Sequence, residues 1–171
     1  MSLLRPERIE RRAPLIPADY FTGAGIKGVL LDVDNTLAFP GGQIPLDGVP
    51  EWLDTLRAAG LKLAIASNAR RRRVQPFAAA LDLPFVSLSC KPLPFGLARA
   101  RGLLGCKRRE TVLVGDQLFT DVLGGNLCGI RTVLVQPAVA EQGRLFSLKR
   151  RFEAWVLRRQ ALGAGETTSH Q

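Results

Sequence analysis

The chain has 171 residues, of which 46% are hydrophobic and 23% are charged, a composition typical of a globular domain. We find no apolar stretch long enough for a signal peptide or a membrane span, and three cysteines without close spacing give no disulfide framework or zinc site, so we expect a reducing, cytoplasmic location and no disulfide partner. The net charge of +9 predicts attraction to polyanions such as nucleic acid, anionic lipid or phosphorylated substrates.

The elements in chain order predict an α/β fold. Residues 1–24 form a basic, proline-containing N-terminal segment ahead of a catalytic domain that we place at residues 25–143. Within that domain, helical patterns separate five apolar runs, which are GVLLDVD, KLAIASN, PFVSLSC, TVLVGD and RTVLVQP. Strands that alternate with helices pair in parallel through right-handed crossovers. We therefore expect a single three-layer domain with a mainly parallel five-stranded sheet.

The C-terminal residues have a different pattern. Residues 144–162 predict a basic amphipathic helix, because apolar side chains including Leu148, Phe152 and Trp155 fall on one arc with basic residues on its flanks. Such a helix can dock on an anionic membrane or pack against the domain, and the pattern is compatible with both. Residues 163–171 are polar and glycine-containing, and we expect them to be disordered.

Polar residues follow the predicted strands where each strand ends. They are Asp32 and Asp34 after the first strand, Ser67 and Asn68 after the second, Lys91 after the third, and Asp116 after the fourth, with Asp121 in the first turn of the next helix. The carboxyl ends of parallel strands share one edge of the sheet, and ligands bind at that edge where strand order reverses. The sequence therefore predicts one pocket that contains all of these residues.

Acids, a hydroxyl group and a lysine together suit phosphoryl transfer, which requires a hard cation, in-line attack and neutralised phosphoryl oxygens. Asp32 is the predicted nucleophile, and Asp34 the predicted acid and base. The expected cofactor is Mg²⁺, with Asp32, Asp34, Asp116 and Asp121 as the metal residues. The predicted phosphate contacts are Thr36, Ser67, Asn68 and Lys91. We expect Lys91, at an open strand end, to make few packing contacts.

Four motifs in this order, DVDNT, ASN, CKP and GDQLFTD, resemble those of the haloacid-dehalogenase-like (HAD) phosphatase superfamily. The stretches GIKGVLLDVDNTL, VLVGDQLFTDVLGGNLCGIRTVLVQP and SLKRRFEAWVLRRQ are similar to the YqeG-type phosphatases of subfamily IIIA, which are related to phosphatidylglycerophosphate phosphatases. The resemblance implies a Rossmann-like domain and a magnesium-dependent phosphatase that works through an aspartyl-phosphate. It further implies that phosphatidylglycerophosphate is dephosphorylated to phosphatidylglycerol at a membrane surface. The spacing between the motifs leaves no room for a cap domain.

Two alternatives remain open beside the lipid phosphatase. One is a soluble HAD phosphatase that acts on nucleotides, sugar phosphates or phosphoproteins. The other is a nucleic-acid-associated basic protein, which the complete catalytic set and the aromatic content of 6% disfavour. The expected partner is a phosphorylated substrate, an anionic phospholipid reached by peripheral contact with the inner face of the membrane. The basic run Arg70 to Arg73 is either a solvated helix start or a contact for a second phosphate or an anionic membrane.

Overall fold

The computed structural model describes residues 3–139, which form a parallel sheet with helices on both faces. The strands are β1 (Arg8–Glu10), β2 (Gly28–Leu31), β3 (Lys62–Ala66), β4 (Phe85–Val86), β5 (Thr111–Gly115) and β6 (Arg131–Val135). The helices are α1 (Ala18–Gly23), α2 (Val49–Ala58), α3 (Arg71–Ala80), α4 (Pro94–Leu104) and α5 (Leu123–Leu127), with a π-helical turn at Leu118–Val122 and short 3₁₀ turns at Ala13–Leu15 and Arg108–Glu110. The α/β prediction is confirmed.

The strand order is β1-β6-β5-β2-β3-β4, and every pairing is parallel. From β2 the chain proceeds through β3 to β4 on one side, and then returns to β5 and β6 on the other. Strand order therefore reverses between β2 and β5, which is where an open parallel sheet forms a ligand crevice. The central strands are buried on both faces, which explains why they are continuous apolar runs in the sequence.

Alternate residues of each strand pack into two cores, one on each face of the sheet. Val29 and Leu31 of β2 point into the core that α2 and α3 cover, whereas Leu30 between them points into the core under α4. The α2 helix contributes Trp52, Leu53 and Leu56 to the first core, as expected from their helical spacing. These two cores, one on each face of the sheet, make the domain three layers thick.

The sheet has six strands, so the expected number of five is wrong by one. The additional strand is β1, which lies in the N-terminal segment and pairs with β6 at the edge of the sheet. Backbone bonds continue this ladder from Glu7 N to Thr132 O and from Gln136 N to Glu10 O, at 2.9 and 3.0 Å. The segment that the sequence sets apart from the catalytic domain thus contributes a strand to its sheet.

The connections near the site hold no inserted domain. Between residues 32 and 91 the described chain contains only α2, β3, α3, β4 and their loops. No cap domain is therefore inserted between the motif of Asp32 and that of Ser67, or between Ser67 and Lys91. Within the part of the chain that the structure describes, none of the helices is long and apolar enough to cross a bilayer. The predicted C-terminal helix at 144–162 and the predicted disordered tail lie outside the described residues.

Candidate active site

The two central strands bring the main acidic residues together. Asp32 follows β2 and Asp116 follows β5, and the backbone N–H of Asp32 donates to the carbonyl of Val114 at 2.9 Å, which extends the β2–β5 ladder to the site. Asp121 comes from the π-helical turn after β5. The carboxylate oxygens of these three residues lie within 4.8 Å of one another, and all three residues are buried. Three of the four predicted metal residues therefore converge.

Lys91 completes this cluster from the loop after β4. Its Nζ lies 2.6 Å from Oδ1 of Asp32 and 2.7 Å from Oδ1 of Asp121. The side chain is only 1% exposed, so the expectation that Lys91 makes few packing contacts is wrong. Lys91 lies in the loop beyond a two-residue strand, and the contacts of its side chain with Asp32 and Asp121 are not visible in the sequence pattern.

The electrostatics of the cluster favour a bound cation. Burial raises the pKa of Asp32 to about 7, the nearby charge of Asp121 adds to this rise, and Lys91 opposes it. Burial alone would lower the pKa of Lys91, but Asp121 and Asp32 outweigh that effect and raise it. When all three acids are ionised, as they would be with a cation bound, three carboxylates against one ammonium leave two negative charges in a buried space. A divalent ion with a preference for oxygen ligands, such as Mg²⁺, fits both the charge and the donor atoms.

Local backbone structure fixes the position of Asp121. Its Oδ2 accepts a hydrogen bond from the backbone N–H of Gln117 at 3.0 Å, and its own N–H donates to the Gln117 carbonyl at 2.9 Å. Its carboxylate also packs directly over Gly115, where an added Cβ would lie 2.4 Å from Cγ of Asp121. The last residue of β5 must therefore lack a side chain for this carboxylate to reach the cluster.

We expect Gly115→Ala to lower turnover on the order of 100-fold, because the methyl group would displace the Asp121 carboxylate and small displacements at a catalytic site cost about that much. Steady-state kinetics at saturating Mg²⁺ measures this change. Gly102→Ala is the matched control, since a Cβ at Gly102 in α4 meets no atom within 4 Å. Wild-type turnover in Gly115→Ala would show that the position of Asp121 is unimportant.

Asp34 lies outside the cluster of three carboxylates, although the sequence grouped it with the metal residues. Its Oδ1 accepts hydrogen bonds from Nη2 of Arg73 and from the backbone N–H of Gly41, both at 2.9 Å. The side chain is 33% exposed, in contrast to the buried side chains of Asp32 and Asp121. This placement at the mouth of the site suits an acid and base better than a metal ligand.

The predicted phosphate contacts differ in the hydrogen bonds that their side chains make. Thr36 and Ser67 are each 2% exposed. Within the described residues Oγ1 of Thr36 has no hydrogen-bond partner, whereas Oγ of Ser67 accepts a bond from the N–H of Ala69 at 3.1 Å. Both hydroxyl groups remain suitable as donors to phosphate, because a serine hydroxyl that accepts one bond can still donate.

Asn68 is engaged with the loop that carries Lys91. Its Oδ1 accepts bonds from the Ser89 hydroxyl and from the Lys91 N–H, both at 2.8 Å, and its Nδ2 donates to the Lys91 carbonyl at 3.0 Å. The side chain thus supports the backbone of the lysine. We interpret Asn68 as a positioning residue that acts through Lys91, a role different from the expected phosphate contact.

Sequence reasoning did not identify the partners of Asp34 or the need for Gly115. Arg73 belongs to the basic run that the sequence singled out, but nothing in four consecutive arginines shows which one faces the site. The glycine before Asp116 was visible in the GDQLFTD motif, and a glycine at the end of a buried strand is itself a sign of close approach.

Comparisons with known proteins indicate the family of the chain. The family described as haloacid dehalogenase-like hydrolase matches residues 38–129, more than half of the chain, although the match begins after the DVDNT motif. The chain is 36% identical over 132 residues to "Probable phosphatase YqeG" of Bacillus subtilis, covering 77% of each protein. It is 30% identical over 152 residues to "Phosphatidylglycerophosphate phosphatase 1, chloroplastic" of Chlamydomonas reinhardtii, covering 82% of this chain and 56% of that relative.

Solved structures share the fold at low sequence identity. An uncharacterized protein from Listeria monocytogenes aligns with a TM-score of 0.58 at 18% identity, over 70% of this chain and 84% of the other. NagD from E. coli aligns with a TM-score of 0.56 at 15% identity, over 68% of this chain and 90% of the other. Together with the family and YqeG matches, these findings confirm the resemblance seen in the sequence. The chain belongs to the haloacid dehalogenase-like hydrolases, and it is a phosphatase related to YqeG.

Proposed function

We propose that the protein is a magnesium-dependent phosphomonoesterase that removes the terminal phosphate of phosphatidylglycerophosphate through an aspartyl-phosphate. The observation that carries the chemistry is the buried cluster of Asp32, Asp116, Asp121 and Lys91. The 30% identity to a relative named as a phosphatidylglycerophosphate phosphatase supports the substrate.

Asp32 is the nucleophile in this proposal. Lys91 binds its Oδ1 at 2.6 Å, so Oδ2 is the oxygen that we assign to attack on phosphorus. A new bond forms between this oxygen and phosphorus while the bond to the leaving alcohol breaks. Mg²⁺ held by Asp32, Asp116 and Asp121 would supply positive charge against the phosphoryl oxygens. Lys91, with the hydroxyl groups of Thr36 and Ser67, would bind the same oxygens from the protein side.

Asp34 serves as the acid and then as the base. Its partly exposed side chain, two residues after the nucleophile and outside the cluster of three carboxylates, supports a role beside the leaving group rather than as a metal ligand. It would protonate the leaving alcohol in the first half-reaction and take a proton from the attacking water in the second. The second step returns Asp32 as a carboxylate and releases inorganic phosphate.

Apolar side chains around the site support a substrate that is embedded in a lipid surface. Phe39 and Ile44 in the loop after β2 are 53% and 81% exposed, and Leu93 and Phe95 after β4 are 55% and 74% exposed. The loop after β2, the start of α4 and the basic run Arg70–Arg73 at the start of α3 all lie at the carboxyl edge, so apolar and positive groups share this edge of the sheet. This combination complements an anionic bilayer.

A groove of about 680 Å³ continues from Thr36 away from the acidic cluster. Phe39 and Ile44 line it together with Arg11 and Arg12. The lining is mainly apolar, with two arginines and one acidic residue, Asp47, and suits a molecule that has a phosphorylated head group and hydrocarbon chains. We propose peripheral contact with the inner face of the membrane on this basis. The C-terminal segment, proposed as a second contact, lies outside the described residues.

Phosphate release from purified protein tests the function. The substrates are phosphatidylglycerophosphate in vesicles and a panel of soluble nucleotide, sugar and protein phosphomonoesters, each with Mg²⁺ and with chelator. We expect the lipid to be preferred and chelator to stop the reaction. Preference for a soluble compound would establish the alternative of a soluble phosphatase, and activity that is insensitive to chelator would contradict the metal assignment.

We expect the double variant Phe39→Ser with Ile44→Ser to reduce activity on vesicle-embedded substrate at least about tenfold, because each lost apolar side chain weakens insertion by at least that much. Activity on a small soluble phosphomonoester should change little, since neither side chain belongs to the acidic cluster. The ratio of the two rates is the measurement.

The matched control is Leu103→Ser with Leu127→Ser. Both leucines are 51% exposed, and both lie at the ends of helices that run back toward the opposite edge of the sheet. An equal loss on vesicles in the control pair, or an equal loss on both substrates in the test pair, would contradict docking through the loop after β2.

A further inference from the structure

The contact between Arg73 and Asp34 joins α3 to the mouth of the site. Nη2 of Arg73 donates to Oδ1 of Asp34 at 2.9 Å, and the arginine side chain is 16% exposed. Gln43 Nε2 donates to the carbonyl of Arg73 at 3.1 Å, and the guanidinium lies 5.8 Å from the ring centroid of Phe77. The guanidinium is therefore held in a defined position beside the proposed acid and base.

This arginine has more hydrogen-bonding capacity than the described residues satisfy. Its Nε and Nη1 are buried and have no hydrogen-bond partner within residues 3–139. Buried polar groups are nearly always satisfied, and an unsatisfied donor on a charged group is more costly than one on a neutral group. A guanidinium with two unsatisfied donors, at the mouth of a phosphatase site, is suited to bind an anionic ligand.

The other arginines of the basic run lack this arrangement. Arg70, Arg71 and Arg72 are exposed, and Nε of Arg71 donates to Gln75 at 3.1 Å on the surface of the helix. Arg73 is the member of the run whose guanidinium contacts a site residue in the structure. A role for the run in general charge attraction would not require one arginine to be partly buried against Asp34.

We propose that Arg73 is a specificity-determining residue, which binds a second anionic group on the alcohol portion of the substrate. The proposal rests on the proposed function, because it takes Asp34 as the residue beside the leaving alcohol. A guanidinium bound to Asp34 then lies on the leaving-group side of the site, where the alcohol must extend. The preferred substrates are phosphomonoesters whose alcohol carries a further negative charge, such as a phosphodiester. The bidentate geometry of arginine fits such a group.

Two soluble phosphomonoesters test this inference without a membrane. Glycerophosphoglycerol phosphate carries a phosphodiester in its alcohol portion, whereas glycerol 3-phosphate has an uncharged one. The measurement is the ratio of their kcat/KM values in wild type, Arg73→Gln, Arg73→Lys and Arg72→Gln. The last variant removes the same charge from an exposed position in the same helix turn and is the matched control.

We expect wild type to prefer the substrate with the phosphodiester by about 10- to 100-fold, as for a hydrogen-bonded charged contact. Arg73→Gln should bring the ratio close to one, Arg73→Lys should keep part of it, and Arg72→Gln should keep nearly all of it. An equal loss on both substrates in Arg73→Gln would show that the arginine only positions Asp34 and would overturn the proposal. An unchanged ratio in Arg73→Gln, or an equal collapse in Arg72→Gln, would also overturn it.

A binding experiment separates this proposal from the proposed function. Calorimetric titration of the wild-type protein and of Arg73→Gln with glycerophosphoglycerol, the phosphodiester product, requires no turnover. Binding by wild type that Arg73→Gln loses, in a protein without phosphatase activity, would support the anion site and refute the proposed function. Phosphatase activity with no preference and no binding of the diester would support the function and refute the anion site.

Discussion

Replacement of Asp32 by asparagine is expected to abolish turnover while leaving the protein folded. An amide is a poor nucleophile and a weaker metal ligand than a carboxylate, so the change removes both proposed functions of this residue. The amide still offers an oxygen to Lys91 and relieves repulsion among three buried carboxylates. We therefore expect a thermal midpoint, measured without metal, that is equal to or above that of wild type.

Asp54→Asn is the matched control for this variant. The Asp54 side chain lies on α2 and is 74% exposed, with Arg57 as its partner at 2.8 Å. It should retain full turnover. Substantial activity in purified Asp32→Asn would contradict the assignment of the nucleophile, and a large fall in its melting temperature would show that the lost activity has a structural cause.

Replacement of Lys91 by methionine should have two large effects. Turnover should fall on the order of 100- to 1,000-fold, because the transferring phosphoryl group loses a preorganised positive charge. The metal-free protein should lose about 3 kcal/mol or more of unfolding free energy, because removal of one partner leaves buried carboxylates without their compensating charge. Methionine keeps the apolar volume, so the loss reports mainly on charge.

Mg²⁺ should restore part of the lost stability of Lys91→Met, because an ion bound to the carboxylates supplies charge only in the folded state. Thermal melts with Mg²⁺ and with chelator measure this effect. Lys62→Met, at an exposed lysine of β3, is the control and should change neither stability nor turnover. A metal-free Lys91→Met that is as stable as wild type would contradict the view of Lys91 as a buried counter-ion.

The central part of the fold could be predicted from the sequence, because buried parallel strands are continuous apolar runs. GVLL and TVLVG are buried at every position and become β2 and β5, which pair with each other. The strand β1 could not be predicted in this way. Its three residues are Arg8, Ile9 and Glu10, and at the edge of the sheet it needs only backbone pairing with β6.

The acidic part of the site was predictable for a related reason. Asp32 and Asp116 directly follow neighbouring central strands, so topology alone brings them together. Asp121 follows because a single helical turn separates it from Asp116. The positions of these three acids depend on strand order and on local helix geometry, and both can be inferred from a sequence pattern.

The burial of Lys91 and the partner of Asp34 were not predictable, since both depend on contacts between segments that are far apart in the sequence. The sequence pattern predicts an exposed loop position for Lys91. Its burial follows from contacts with Asp32 and Asp121, which lie 59 and 30 positions away in the sequence. The Arg73–Asp34 pair spans 39 positions and joins the first turn of α3 to the loop after β2. Periodicity and spacing contain no information on such contacts.

In the proposed mechanism, Asp32 carries the phosphoryl group during turnover. The direct measurement is acid quenching of enzyme mixed with substrate and Mg²⁺, followed by peptide mass spectrometry. With an aryl phosphomonoester as the substrate, whose leaving group departs without needing a proton, Asp34→Asn should make the intermediate accumulate, because water attack then lacks its base and should slow by about 100-fold or more. We predict one added phosphoryl group on Asp32, absent with chelator and absent in Asp32→Asn. A phosphoryl group on another residue, or turnover in Asp34→Asn with no phosphorylated peptide under these conditions, would contradict it.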